Sequence, residues 1–126
     1  MDKKRPVNLD LGTIALPITS YVSILHRVSG VIMFFAVAVL LWLLESSLAS
    51  EASFNELSDL FNNPLCQIIV WGTLAALAYH SVAGMRHMIM DFGVGEDSFY
   101  AGRLSAWAAL ALAAFVIALI TLWVFL

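Results

Sequence analysis

Residues 28–44, which read VSGVIMFFAVAVLLWLL, contain no charged side chain. Such a run of about 17 residues is at the short limit for a helix that crosses a hydrocarbon core about 30 Å thick. Extending the run back to Tyr21 gives ample length, so the sequence predicts a first membrane span over about residues 21–44. Trp42 suits the aromatic belt at the far membrane surface.

Two further apolar runs follow. Residues 65–90 carry no charge before Arg86, and residues 104–126 carry none, which is enough length to cross a bilayer with some tilt. The chain is 62% hydrophobic and 12% charged, with a mean hydropathy of +0.93. A soluble domain of 126 residues could not bury so much apolar surface. The sequence therefore predicts an all-α membrane protein with three transmembrane helices, over about residues 21–44, 65–90 and 104–126.

The segments between the spans carry signals for helix ends. Residues 53–56, Ser-Phe-Asn-Glu, match a capping box that would open a short interfacial helix. Asn63 and Pro64 predict the N-cap and first position of the second helix. Gly93 can adopt the left-handed conformation that ends that helix.

Residues 1–20 are predicted to form a non-spanning N-terminal arm, because Pro6 and Pro17 break helices. The basic start is followed by polar residues, so it lacks the layout of a signal peptide and of a transit peptide. We therefore expect direct insertion into a bacterial inner membrane. Cys66 is the only cysteine, which excludes a disulfide framework and covalent haem attachment through C-x-x-C-H.

The basic residues indicate how the chain is oriented. The acidic segment 45–63 has no Lys or Arg, and all six basic residues lie on the N-terminal side of the membrane: Lys3, Lys4, Arg5, Arg27, Arg86 and Arg103. The positive-inside rule then places the N-terminus and residues 91–103 in the cytoplasm and the C-terminus in the periplasm. The start of the first span and the end of the second therefore share one membrane face.

Polar residues cluster at this face. Ser23, His26, Arg27 and Gly30 follow the i, i+3, i+4, i+7 spacing that places them on one side of a helix. Arg27 lies about one to two turns inside the span, from where its side chain can extend toward the interface. Ionisable residues inside a membrane are costly and usually serve a function.

His80 lies deeper, about two turns from His87, in a stripe of small residues spaced by four: Gly72, Ala76 and Gly84. Small residues permit close helix packing, and they would also leave room for a flat ring beside an imidazole. The pattern is therefore compatible with a haem whose iron is bound by His80. A simple hydrogen bond from His80 to a neighbouring helix is an equally good interpretation of this stripe alone.

The three histidines cannot complete a bis-histidine haem within this chain. His80 and His87 lie seven residues apart, hence on one helix face and about 10.5 Å apart along the axis. They cannot approach one iron from opposite sides. His26 lies near the interface and is assigned to the haem propionates, so the second axial ligand is expected from another subunit.

The stretch SILHRVSG (residues 23–30) and the pattern His80-x3-Gly84-x-Arg86-His87-x3-Asp91 together resemble the paired signatures of the cytochrome b membrane anchor subunit of succinate dehydrogenase, respiratory complex II. RPVNLDL (residues 5–11) resembles the proteobacterial branch, and the resemblance covers essentially the whole chain. It implies that the three helices form half of a heterodimeric haem-binding helical bundle. One haem b would be shared with a second three-helix anchor subunit, and the partners would include an iron–sulfur subunit, a flavoprotein subunit and membrane lipid.

The resemblance also implies residue roles. His80 would be the axial ligand to the haem iron, Ser23 and Arg27 would line the ubiquinone pocket, and His26 and Arg27 would neighbour the propionates. Second-tier candidates for propionate contact or proton supply are Arg86, His87 and Asp91. The chain would help pass electrons from the iron–sulfur subunit to ubiquinone within a succinate:quinone oxidoreductase, without catalysing a reaction alone.

Three alternatives are open. The chain could be a haem-free structural anchor in which His80 only hydrogen-bonds, or the anchor of a related fumarate reductase. A transporter or proton-pathway subunit ranks lower, because residues 28–44 and 104–126 offer only scattered hydroxyls. No nucleic-acid partner is expected.

Overall fold

The computed structural model describes residues 9, 10, 12, 14–94 and 98–126. They form four α-helices in chain order: α1 over Ile18–Ala49, α2 over Glu51–Leu60, α3 over Pro64–Asp91 and α4 over Phe99–Phe125. No β-strand occurs among these residues. The predicted all-α architecture is therefore confirmed.

Three of the described helices, α1, α3 and α4, are long and apolar enough to cross a membrane. They match the three predicted spans in number and order, although each helix extends beyond its apolar run. Hydropathy marks the part of a helix that lipid surrounds, whereas capping residues determine where the helix begins and ends. α4 accordingly begins at Phe99, because the Ser98 hydroxyl accepts the backbone N–H of Ala101 at 3.0 Å.

The start of α1 also differs from the sequence prediction. The helix begins at Ile18, directly after the extended Pro17, so residues 18–20 of the predicted arm belong to α1. Proline is tolerated at a helix start, where its missing N–H leaves no helical hydrogen bond unmade. Residues 1–8, 11 and 13 of the arm, with most of the RPVNLDL segment, lie outside the described residues.

The short helix α2 exists, but the predicted capping box is wrong. Its N-cap is Ser50, whose hydroxyl accepts the backbone N–H of Ser53 at 3.0 Å. The Ser53 hydroxyl instead donates to the backbone carbonyl of Ser46 at 2.7 Å. The chain turns one residue after α1 ends, so the first available hydroxyl, that of Ser50, caps the new helix.

Both ends of α3 follow the sequence prediction. The Asn63 side chain accepts the backbone N–H of Leu65 at 2.9 Å, and Pro64 opens the helix. At the other end Gly93 has φ +84°. The N–H of Gly93 donates to Met90 and that of Val94 to Ile89, which is the Schellman arrangement. The cap fixes where Asp91 and the following loop leave the helix.

The helix α3 packs between α1 and α4, which also touch each other. The core of this contact is Val22 of α1, Ala83 of α3 and Ala106 of α4, each at most 1% exposed. Two of the three are alanines, and small residues let helix backbones approach closely. The Tyr79 hydroxyl donates to the backbone carbonyl of Val22 at 2.8 Å and so ties α3 to the start of α1.

A second polar tie lies toward the opposite end of the bundle. The Trp71 indole N–H of α3 donates to the Thr121 hydroxyl of α4 at 2.8 Å. Most large apolar side chains of the spans point outward, including Phe34, Phe35 and Trp123, which are 69–77% exposed. Such surfaces are expected where lipid or another subunit surrounds a helix.

Candidate functional site

The face between α1 and α3 is shaped by two glycines in reciprocal positions. A Cβ atom at Gly30 of α1 would lie 3.3 Å from Cε1 of His80 on α3. A Cβ atom at Gly84 of α3 would lie 3.3 Å from Nε2 of His26 on α1. Each glycine thus makes room for the imidazole of the opposite helix. The sequence patterns around His26 and His80 therefore meet as one site.

The two imidazoles form a parallel stack. The ring centroids of His26 and His80 are 4.2 Å apart and their planes differ by 10°. His87 adds a third ring, 5.1 Å from that of His26 and tilted by 52°. The sequence analysis placed His26 near the interface and His80 deeper, and it did not predict that the rings touch. Here His26 lies between the two histidines of α3.

Ser29 determines which nitrogen of His80 carries the proton. The Ser29 hydroxyl lies 2.7 Å from the backbone carbonyl of His26 and 3.0 Å from Nδ1 of His80. The contact with the carbonyl is the shorter of the two and assigns the hydroxyl proton to it, which leaves the Ser29 oxygen as an acceptor for Nδ1–H. The same carbonyl lies 3.3 Å from Nδ1 and is also an acceptor. Nδ1 is therefore protonated, and Nε2 keeps the lone pair that metal coordination requires.

His26 has an unsatisfied polar atom. Its Nε2 is buried and has no hydrogen-bond partner among the described residues. Buried polar atoms are nearly always paired, and exceptions often occur at functional sites. In the described part of the chain, no group of three or more His, Cys, Asp or Glu side chains could hold a metal ion. The cluster can thus offer single imidazole ligands but not a complete metal site.

Ser23 and Arg27 lie beside the stack on α1. Ser23 is half-buried and Arg27 is exposed. Within the described residues, neither side chain makes a hydrogen bond, and Arg27 forms no ion pair. A hydroxyl and a guanidinium one helical turn apart are therefore free to bind a group that approaches from outside the chain.

Arg86 and Asp91 make no described contact with the stacked histidines. Arg86 is 7% exposed. It donates from Nε to the Ser105 hydroxyl at 3.1 Å and from a terminal nitrogen to the Gly102 carbonyl at 3.2 Å. Arg86 therefore joins α3 to α4, away from the stacked histidines. Asp91 is exposed at the last position of α3, and no described side chain hydrogen-bonds to it.

Two residues of the site had no assigned role in the sequence analysis, Ser29 and Tyr79. A signal for Ser29 was present, because a serine three residues after His26 can bond back to the His26 carbonyl. Tyr79 gave no such signal, since its partner is a backbone atom 57 residues away.

The amino-acid sequence can be compared with those of known proteins. A family model described as succinate dehydrogenase/fumarate reductase transmembrane subunit matches residues 1–120. The chain belongs to this family.

Similar relatives include three proteins named succinate dehydrogenase cytochrome b556 subunit. That of Coxiella burnetii is 38% identical over 125 residues, covering 98% of this chain and 99% of the relative. That of Paracoccus denitrificans is 31% identical, covering 96% of this chain and 92% of the relative. That of Rickettsia felis is 36% identical, covering 82% and 80%. The resemblance to a succinate dehydrogenase cytochrome b anchor subunit is therefore confirmed over nearly the full length.

Membership in a transmembrane family and three apolar helices together make this chain a multi-pass membrane protein. The stacked histidines of this transmembrane subunit lie between α1 and α3.

Proposed function

We propose that the chain is the membrane anchor subunit of a succinate:quinone oxidoreductase, in which it binds haem b and helps to form the ubiquinone-reduction site. The observation that carries the proposal is the state of His80. Its Nδ1 faces two acceptors, the Ser29 hydroxyl oxygen and the His26 carbonyl, so Nε2 holds a free lone pair. A hydrogen bond at the other ring nitrogen is usual for a metal-binding histidine.

The residues present fit a haem. His80 would supply one nitrogen ligand to the iron, the exposed Arg27 guanidinium would donate to a propionate, and the His26 ring would lie beside it. The haem would supply one-electron redox chemistry. His26 cannot supply the second axial nitrogen, because its Nε2 lies against Gly84 on the same helix that carries His80. A second three-helix anchor subunit would provide that ligand.

Ser23 and Arg27 are proposed to bind ubiquinone. The Ser23 hydroxyl can donate to a quinone oxygen, and the exposed Arg27 guanidinium can stabilise negative charge on that oxygen as the quinone is reduced. Both side chains are free of hydrogen bonds within the described residues. A role in propionate contact or proton supply is proposed for His87, whose ring adjoins that of His26, and for Asp91. Arg86 is proposed instead to hold α3 against α4, because its donors bond to Ser105 and Gly102.

The basic residues support an orientation with the N-terminus in the cytoplasm and the C-terminus in the periplasm of a bacterial inner membrane. Arg27, Arg86 and Arg103 lie near the start of α1, the end of α3 and the start of α4, which is one end of an antiparallel bundle. The iron–sulfur subunit, carrying the flavoprotein subunit, would dock at this end. Electrons would then reach ubiquinone close to Ser23 and Arg27.

The test is a reduced-minus-oxidised spectrum of the purified complex. His80→Ala should lose the b-type absorbance while the four subunits still copurify, and Arg103→Ala, at an exposed position of α4, should keep that absorbance. A wild-type spectrum from the His80→Ala complex would contradict the ligand assignment.

A second candidate function is a haem-free structural anchor. The stack of His80 on His26 favours it, because packing and hydrogen bonding alone would then account for the position of His80. The same spectrum decides between the two functions, since a haem-free anchor predicts no b-type absorbance from the wild-type complex.

A further inference from the structure

We propose that Ser29 is a positioning residue that polarises His80 and thereby lowers the reduction potential of the haem bound there. This inference rests on the proposed function, because it assumes that His80 is the iron ligand. Ser29 is 5% exposed and lies on α1, whereas His80 lies on α3. Its hydroxyl is the only described side-chain group that hydrogen-bonds to the His80 ring.

The hydroxyl works as the middle of a chain of hydrogen bonds. It donates to the His26 carbonyl at 2.7 Å and accepts from His80 Nδ1 at 3.0 Å. Donation to the carbonyl increases the negative charge on the Ser29 oxygen, because linked hydrogen bonds polarise one another. The Ser29 oxygen is therefore a stronger acceptor for Nδ1–H than an isolated hydroxyl would be.

A stronger hydrogen bond at Nδ1 makes Nε2 a more basic ligand. A more basic axial ligand stabilises ferric iron relative to ferrous iron, which lowers the reduction potential. Hydrogen bonding to an axial ligand is one of the ways in which a protein adjusts a haem potential. The buried position of Ser29 strengthens the effect, because water cannot compete for the hydroxyl.

The structure also contains a more distant acceptor that would replace the hydroxyl, with a longer and therefore weaker hydrogen bond. The His26 carbonyl lies 3.3 Å from His80 Nδ1, and removal of the Ser29 hydroxyl would free that carbonyl to accept Nδ1–H directly. Ser29→Ala would therefore preserve the tautomer of His80 and the lone pair on Nε2. The expected result is a complex that keeps its haem and has a higher potential.

A matched control lies on the same helix. The Ser47 hydroxyl donates to the Leu44 carbonyl at 2.8 Å, which is the same bond to the residue three positions earlier that Ser29 makes to His26. Ser47 lies near the C-terminal end of α1, roughly 30 Å along the helix from His26. Ser47→Ala therefore removes an equivalent hydroxyl from α1 without altering the surroundings of His80.

The experiment is a redox titration of the haem in the intact complex, together with the EPR g values of the oxidised form. Ser29→Ala should raise the midpoint potential of the haem and shift the g values. Ser29→Thr keeps the hydroxyl and should leave the potential and the g values as in the wild type, and Ser47→Ala should change neither quantity. A purely structural role for Ser29 predicts altered assembly without these shifts. A Ser29→Ala complex with the wild-type potential and g values would overturn the proposal.

If Ser29→Ala prevents assembly, Ser29→Cys serves instead. Its sulfur is a weak acceptor, so the potential should rise, and an unchanged potential would overturn the proposal. The proposed function fails by a different observation, namely a wild-type complex without haem or a His80→Ala complex that retains it. The two failures are therefore distinguishable.

Discussion

The imidazole of His26 lies flat against that of His80, with ring centroids 4.2 Å apart and planes 10° apart. The contact joins two sequence patterns that are 54 residues apart in the chain. It depends on Gly30 and Gly84, because each glycine faces the histidine of the other helix. It also limits the chemistry, since two rings stacked side by side cannot bind one iron from opposite faces.

The first prediction concerns the space at Gly84. Gly84→Ala should lower the melting temperature of the complex, because the added Cβ would lie 3.3 Å from His26 Nε2 and the stack would have to shift. Overpacking of this kind typically costs about 1–3 kcal/mol. Thermal unfolding of the complex measures it. Gly72→Ala is the control, because among the described residues a Cβ there meets nothing within 4 Å beyond its own stretch of helix. Equal melting temperatures of the Gly84→Ala and Gly72→Ala complexes would contradict the prediction.

The second prediction tests Arg27 against the quinone. Arg27→Ala should lower succinate–quinone turnover while electron transfer from succinate to a soluble dye is unchanged. A hydrogen bond to a charged group contributes about 1.5–3 kcal/mol, so kcat/KM for quinone should fall roughly ten- to a hundredfold. The control is Arg103→Ala, which removes an exposed cation positioned over Phe99 at the start of α4. Equal losses in both assays would indicate a role in assembly instead.

The third prediction separates a packing role for Arg86 from a propionate role. Arg86→Met removes the donors to Ser105 and Gly102, and it should destabilise the α3–α4 contact by about 1.5–3 kcal/mol. The Gly102 carbonyl still accepts the Ser105 hydroxyl at 3.0 Å, so the rest of the contact should persist. The measurements are the melting temperature of the complex and the absorbance spectrum of its haem. A lower melting temperature with an unaltered spectrum is expected, and an altered spectrum would favour the propionate role.

Much of the fold could be predicted from the sequence, because a helix that crosses a lipid bilayer needs a long run of uncharged residues. The long uncharged runs predicted the three spans. Asn63, Pro64 and Gly93 predicted both ends of α3. The cap of α2 was misplaced because Ser50 and Ser53 are chemically alike. Only the point at which the chain turns, immediately after Ala49, decides which hydroxyl caps the helix.

The site was predictable only in part, because its decisive contacts join residues far apart in the chain. Periodicity placed His26 and Gly30 on one face, and both do meet α3. It could not show that the partner of Gly84 is His26, nor that the Arg86 side chain turns toward α4. Those outcomes depend on the rotation of each helix about its axis, which tertiary packing determines.

The last prediction is that the chain expressed alone forms no six-coordinate bis-histidine haem. His26 Nε2 lies against Gly84, which leaves no space for a haem iron beside that nitrogen. His87 lies on the same helix as His80, about 10.5 Å along the axis. The spectrum of the purified chain should therefore lack a low-spin b-type signal, and coexpression with the second anchor subunit should restore it. A low-spin bis-histidine spectrum from a chain that sedimentation shows to be monomeric would contradict the prediction. The monomer must be tested, because a homodimer could supply two copies of His80 to one iron.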